Sequence, residues 1–455
     1  MISNNSSINR DLKICLISLT TFMLLWYLFI GNAIFREGYI WDDLHWFRQY
    51  SYSELFKVWF SNWDVDQVET PAYRPLGTLF YHILGTIFQE NTFLFRIFYL
   101  LLFFILISIV NFFFLLLGAK KEVIIILNFL VICSKIFSTL ISWFTLSVLV
   151  ISYIFFFTTL VNFYLFKLKK KKNYLLYSIL SCFIAIYTRE ELYTLFFIIP
   201  FFSLYIERDL KKTLKESLPF FIIILSHYLI RDTIVPDASK ISLNLSTLNI
   251  LDFIKSIIAS SLPMSFYKPH TNDPVNLATL VLWIIFLFYI LFESLKKFNL
   301  LRPKIFFYLF GIICGLISCT PNLIFPRSFG ILIPSIFFYF IIASLISEIF
   351  LYKKENSKLL LTSFFLIIAY IGGLNRSQNQ IIAVNEYSAQ IISYDSLFVY
   401  GFPLKGWDIT IPKKRLDKKI IFLNKLGVYS FVTVEQLKKN NNKKIIFSKY
   451  PPLSF

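Results

Sequence analysis

The feature that most constrains this chain is the recurrence, along nearly its whole length, of apolar runs of roughly 15 to 25 residues. That is the length an α-helix needs to cross the hydrocarbon core of a bilayer. Such runs are expected to form spans near 13–34, 92–117, 122–140, 143–166, 173–188, 192–206, 217–231, 276–295, 304–319, 328–349 and 358–374. Of the 455 residues, 57% are hydrophobic and 16% charged, with 54 Phe, a balance that suits a bundle of membrane helices and no water-soluble domain. The expected fold class is an all-α polytopic membrane protein of about eleven transmembrane helices.

The net charge of +18 would fit a nucleic-acid partner, but the lysines stand in short clusters between the apolar runs, the pattern of cytoplasmic loops, so no nucleic acid is expected. Lys120-Lys121, Lys167 to Lys172, Lys211-Lys212, Lys296 to Lys304 and Lys353 to Lys358 then fall on one side, which the positive-inside rule makes cytoplasmic. Residues 75–89 are apolar enough to cross, but a crossing there would turn the Lys167 cluster outward. They are therefore expected to lie as an interfacial helix in the first outer loop. This places the N-terminus inside, as an uncleaved first helix after Arg10 and Lys13, and the C-terminus outside. The expected location is the bacterial inner membrane; a lumenal membrane of a eukaryotic cell would keep the same facing. Residues 1–374 form the expected membrane domain. In 375–455 short alternating runs at 396–400, 419–423 and 429–434 read as strands of a small outer α/β domain, where bases outnumber acids and favour anionic lipid or glycan. The cysteines Cys15, Cys133, Cys182, Cys314 and Cys319 lie in or beside apolar runs without metal-ligand spacing, and no disulfide framework is expected.

With this topology four charged places share the outer face: Asp42-Asp43, Arg74, Arg189-Glu190-Glu191 and Arg327. Ionisable groups at the edge of a bilayer are costly and are functional candidates by default. Asp42 and Asp43 can act as a general base, since one member of a close, half-desolvated carboxylate pair has a raised pKa; the competing reading is an N-cap on a helix beginning at Leu44. Arg74, just before Pro75, can hold a phosphate with a helix N-terminus, or can snorkel to the headgroups. Arg189, Glu190 and Glu191 are candidates for donor or acceptor recognition; alternatively they are a local Arg–Glu pair or an exposed turn. Arg327 can hold a lipid phosphate or anchor a helix among headgroups. The loop 232–275 is expected outside, with Tyr267 and Lys268 as substrate-binding candidates. Asp64 and Asp66 form a D-x-D that can hold Mg²⁺ or Mn²⁺ between phosphates, against the plainer reading of a solvated loop. His45, His82, His227 and His270 have no ligand spacing, and no zinc site is expected.

Trp41-Asp42-Asp43-Leu44-His45-Trp46 resembles the aromatic-Asp-acid-x-His-aromatic motif of protein O-mannosyltransferases. Tyr73-Arg74-Pro75-Leu76-Gly77 is similar to the Pro-Pro-Leu or Arg-Pro-Leu element of the wider GT-C superfamily, which includes the lipid A aminoarabinose transferases and TMTC-type mannosyltransferases. The segment Arg327 to Pro334 is similar to their late Arg-containing element, with Ser328 where an aromatic is common. The likeness covers 13 to about 374 in topology and is specific in the first loop. It implies a polytopic glycosyltransferase, usually inverting, that takes a sugar from a polyprenyl-phosphate donor on the outer face. Asp42 would be the base, Asp43 its companion, His45 in the same motif a substrate-binding residue, and Arg327 and Arg74 would hold the donor phosphate. The acceptor would be a glycan, lipid or protein. Two rivals share parts of this form: a flippase or transporter of lipid-linked sugars, and a glycan polymerase or ligase.

Overall fold

The computed structural model describes residues 5–28, 46, 50–63, 72–88, 91–235, parts of 253–261, 274–296, 305–323, 332–348, positions 363 and 367, and two short strands at 398–400 and 446–448. The described residues are overwhelmingly helical. The first half of the chain holds α1 (Asn5–Trp26), α2 (Tyr52–Lys57), α3 (Pro75–Phe88), α4 (Thr92–Leu116), α5 (Lys121–Ile132) and α6 (Lys135–Ser142). After these come α7 (Ser147–Lys169), α8 (Lys172–Thr188), α9 (Leu195–Glu207) and α10 (Leu210–Ile234). The later helices are α11 (Pro274–Lys296), α12 (Ile305–Cys319) and α13 (Leu332–Ile346). Among the described residues, three helices are long and apolar enough to cross a membrane, over Phe93–Leu116, Phe144–Lys169 and Leu210–Ile234.

The helices α7 to α10 run consecutively down, up, down and up, joined by tight turns. Lys170 and Arg208 close α7 and α9 in the left-handed conformation, with φ of 55° each. From Val148 to Lys167 the rise of α7 is roughly 30 Å, the thickness of a bilayer core. The helix is enclosed: 83% of its apolar window is buried, against 22% for α10. The outward stripe of α10 explains the contrast. Leu214, Leu218, Ile222, Leu225 and Leu229 recur every three or four residues and are all exposed, as are Phe93, Ile97, Leu101 and Ile105 along α4. Aligned apolar stripes of this length are unsuited to water and compatible with lipid. Among the enclosed helices there is no hydrophobic gain over lipid, so close packing must hold them together. Aromatic contacts supply much of it: Phe114 stacks on Phe340 at 3.8 Å, and Phe201 on Phe310 at 5.9 Å.

Several expected boundaries move, each for a local reason. The span expected at 122–140 is not one helix. The Ser134 hydroxyl donates to Val131 O at 2.6 Å and accepts the Phe137 N–H at 3.2 Å, closing α5 and opening α6. The span expected from 192 begins as a helix at Leu195, because Glu190–Thr194 is wound as a tighter 3-10 turn. The span expected at 217–231 starts earlier, where Asp209 accepts the Lys212 N–H at 3.1 Å and caps α10. Residues 75–89 do form a separate helix, α3, packed on the ends of α7 and α8. Gly77 permits the approach, since a Cβ there would sit 3.0 Å from Thr188 O. The five cysteines are free and buried. Near the C-terminus, β1 (Phe398–Tyr400) pairs in parallel with β2 (Ile446–Ser448). The strands expected at 419–423 and 429–434 lie outside the described residues, as does nearly all of 358–374.

Candidate functional site

Two ends of the α7–α10 group concentrate charge, and they differ. At the lysine end, where α7, α9 and α10 meet, the fully buried Lys167 ammonium contacts Glu216 and, at 3.0 Å, Glu207. Glu207 is also held by Lys170 at 2.7 Å and Lys212 at 2.8 Å. Every one of these cations has a carboxylate, and the cluster reads as a clip tying three helices.

The other end gathers the candidates that the sequence scattered. It is built on the segment leading into α3. Ala72 O accepts the Trp63 N–H at 3.2 Å and the Thr78 hydroxyl donates to Trp63 O at 3.2 Å, so the two limbs of the first loop close on each other. The Tyr73 hydroxyl donates to Trp59 O at 3.0 Å, and that of Tyr81 to Thr145 O at 3.1 Å, fastening the loop to the start of α7. Arg74 is thereby directed inward, and it is 3% exposed. Its Nε and Nη2 donate to the two Glu190 oxygens at 2.5 Å each, a bidentate pair across 116 residues of sequence. Its guanidinium carbon lies 4.5 Å from the centre of the Trp63 ring. Trp63 in turn stacks on Trp46 at 3.9 Å, and Trp46 ends the aromatic-Asp-acid motif.

Burial alone would raise the Glu190 pKa, but the Arg74 charge and its hydrogen bonds outweigh burial and hold the carboxyl below the ordinary carboxylate range. Burial would likewise lower the pKa of Arg74, and Glu190 reverses that and raises it. Both partners are therefore ionised at every physiological pH. The Tyr73 phenol is pushed up to about 12, first by burial and then by Tyr187.

His227, fully buried on α10, completes the wall. Its Nε2 lies 3.1 Å from Tyr73 O, which can only accept, so Nε2 carries a proton. In the neutral ring Nδ1 is then an acceptor, and the Tyr193 hydroxyl donates to it at 2.6 Å. Tyr187 packs on the imidazole edge-on at 4.7 Å. A helix deep in the chain thus grips the backbone of the residue before Arg74. The sequence reading considered His227 only as a metal ligand and missed this role. The available signal was Arg231, four residues on and on the same face of α10, just past its apolar stretch.

The remaining candidates divide. Arg189 is 4% exposed, so the exposed-turn reading fails; the local pair also fails, because Glu190 turns to Arg74 instead. Two of the four expected charged places therefore meet. Asp42, Asp43, His45, Asp64, Asp66, Tyr267, Lys268 and Arg327 lie outside the described residues. Among the described residues no three His, Cys, Asp or Glu side chains are placed to hold a metal. A further buried cation that the sequence reading did not single out, Arg96, lies 3.9 Å over the Phe144 ring and donates to Ile141 O, binding α4 to the end of α6. Comparison with known protein families, curated proteins and solved structures finds no match to this chain.

Proposed function

We propose that the chain is a GT-C-like membrane glycosyltransferase working at the Arg74 end of the bundle. The observation that carries this reading is the meeting of three separate pieces of sequence. Trp46, from the motif bearing Asp42 and Asp43, stacks on Trp63; Trp63 underlies Arg74; and Arg74 clasps Glu190. A reaction centre needs residues held in place by their neighbours, and this clasp is such a support.

In this reading the chain has about eleven spans, α3 lies at the outer interface, and 375–455 forms a small outer α/β domain. The protein is a multi-pass protein of a bacterial inner membrane with its N-terminus inside. An acceptor hydroxyl, on a glycan, lipid or protein, attacks the anomeric carbon of a sugar on polyprenyl phosphate. Asp42 takes the hydroxyl proton as the new C–O bond forms. The bond from the anomeric carbon to the phosphate oxygen breaks with inversion, and polyprenyl phosphate leaves. Asp43 orients Asp42 or the sugar, and Arg327 faces the donor phosphate. Arg74, engaged by Glu190, positions the first loop.

The test is transfer from labelled polyprenyl-phosphate sugars by the full chain in vesicles, comparing wild type with Asp42→Asn and with chelator added. Transfer by wild type and its loss in a folded Asp42→Asn protein is the expected result. Equal transfer by both removes Asp42 from the mechanism. Loss with chelator shows that transfer requires a metal ion, for which Asp64 and Asp66 are the candidates. Donor movement across the bilayer without bond cleavage replaces the transferase with the transporter.

A further inference from the structure

Around the 3-10 turn the charges do not balance. Arg74 is matched by Glu190. Arg189 is not matched: the residue is 4% exposed, and its Nε is shielded from solvent without a hydrogen-bond acceptor. Among the described residues no carboxylate forms an ion pair with it. Glu191, two positions on, acts on the Tyr153 hydroxyl together with Arg189, yet does not pair with Arg189. Arg231, half-buried on α10, also acts electrostatically on Glu190, and its Nε is shielded and without an acceptor. Arg74, Arg189 and Arg231 thus share Glu190 and Glu191, while Asp232 points to the exterior. The lysine end shows the contrast, since its buried cation, Lys167, contacts two carboxylates, and Lys170 and Lys212 each contact one.

A guanidinium does not give up its proton in a protein, so burial cannot neutralise it as it can a lysine or histidine. A buried, unmatched guanidinium calls for an anion. We infer that Arg189 holds an anionic ligand, and that the ligand is a phosphoryl group. The Nε edge of a guanidinium carries parallel N–H donors that suit two phosphoryl oxygens, and the Nε of Arg189 has no acceptor. Phosphate is also the anion that the end of a membrane bundle meets, whether on a lipid or free in solution. The inference rests on reading this end as the reaction site, and it assigns the phosphate to Arg189 rather than Arg74, whose Nε and Nη2 are taken by Glu190.

The experiment uses the full chain in lipid nanodiscs as wild type, Arg189→Gln, Arg189→Lys and the exposed control Lys57→Gln. Binding is measured for a long-chain polyprenyl phosphate, the matching uncharged polyprenol and inorganic phosphate. Polyprenyl phosphate is expected to bind wild type and the control alike, to weaken by ~10-fold or more in Arg189→Gln, and to bind Arg189→Lys at an intermediate level. Polyprenol should be indifferent to the substitution. Inorganic phosphate bound by wild type and lost in Arg189→Gln, with no polyprenyl phosphate binding, keeps the phosphoryl site and assigns it to free phosphate. Equal binding of both phosphates by wild type and Arg189→Gln overturns the inference, as does no binding of either by wild type. An equal loss of polyprenol binding overturns it too. Because Arg189→Gln removes an unmatched charge, its melting temperature without ligand should equal or exceed that of wild type; a large drop would mean that Arg189 is already compensated in the fold and would also count against the inference, with Arg189→Lys carrying the binding comparison. The two proposals fail separately. Arg189-dependent binding without sugar transfer leaves the anion site and rejects the transferase. Asp42-dependent transfer that is intact in Arg189→Gln does the reverse.

Discussion

The two charged ends of the α7–α10 group contain similar buried ion pairs put to different ends. At the lysine end one ammonium faces two carboxylates, and Lys170 and Lys212 add further partners at the water boundary. Charge there is over-supplied on both sides, so no single contact is indispensable. At the Arg74 end one guanidinium meets one carboxylate between aromatic rings, and Arg189 and Arg231 remain without ion-pair partners among the described residues. The first arrangement ties helices together. The second positions a loop and leaves positive charge uncommitted, which is the condition for binding something.

Glu190→Gln should break this contrast most sharply. It leaves Arg74 buried without its counter-charge, at a cost of about 3–5 kcal/mol, read by unfolding in detergent. Replacing both partners with apolar residues, Arg74→Met with Glu190→Leu, should recover most of that stability while leaving the first loop unclasped. A double variant as unstable as the single one would show that the pair does more than cancel its own burial. Acid tests the same contact in the intact chain. The Glu190 carboxyl has a lowered pKa in the folded protein, so its contribution is complete above the unfolded value of about 4.3 and is lost as pH falls below that value toward the folded one. Melting curves from neutral to acid pH should show no loss from this pair until that window is reached.

Lys167→Met should cost less, about 2 kcal/mol, because Glu207 keeps Lys170 and Lys212. If it costs as much as Glu190→Gln, the supposed redundancy of the lysine end is wrong. Lys170→Ala should have the smallest effect. The side chain is 55% exposed, and any loss in melting temperature should vanish in high salt.

How much of this was legible can be followed residue by residue. The positive-inside pattern set Arg74 and the Arg189–Glu191 turn on one face, and that much can be read because loop charge and apolar length are local properties of a sequence. That Arg74 would choose Glu190, over the flanking carboxylates nearer in sequence, could not be read, since a pair separated by 116 positions leaves no periodic trace. Ser134 was likewise invisible as a helix break. One hydroxyl in an apolar run is as compatible with a helix interior as with a cap until its partners are known. His227 looked like an isolated histidine because its partners are a backbone carbonyl from the first loop and a tyrosine from the 3-10 turn.

By itself the sequence determined the helical character and the approximate positions of most of the described helices, because these follow from hydropathy counted over one or two dozen neighbours. Only the tertiary structure decided which guanidinium is matched and which is not. That distinction depends on distances of a few ångströms between distant segments, and at low dielectric those distances separate a structural clasp from an anion site.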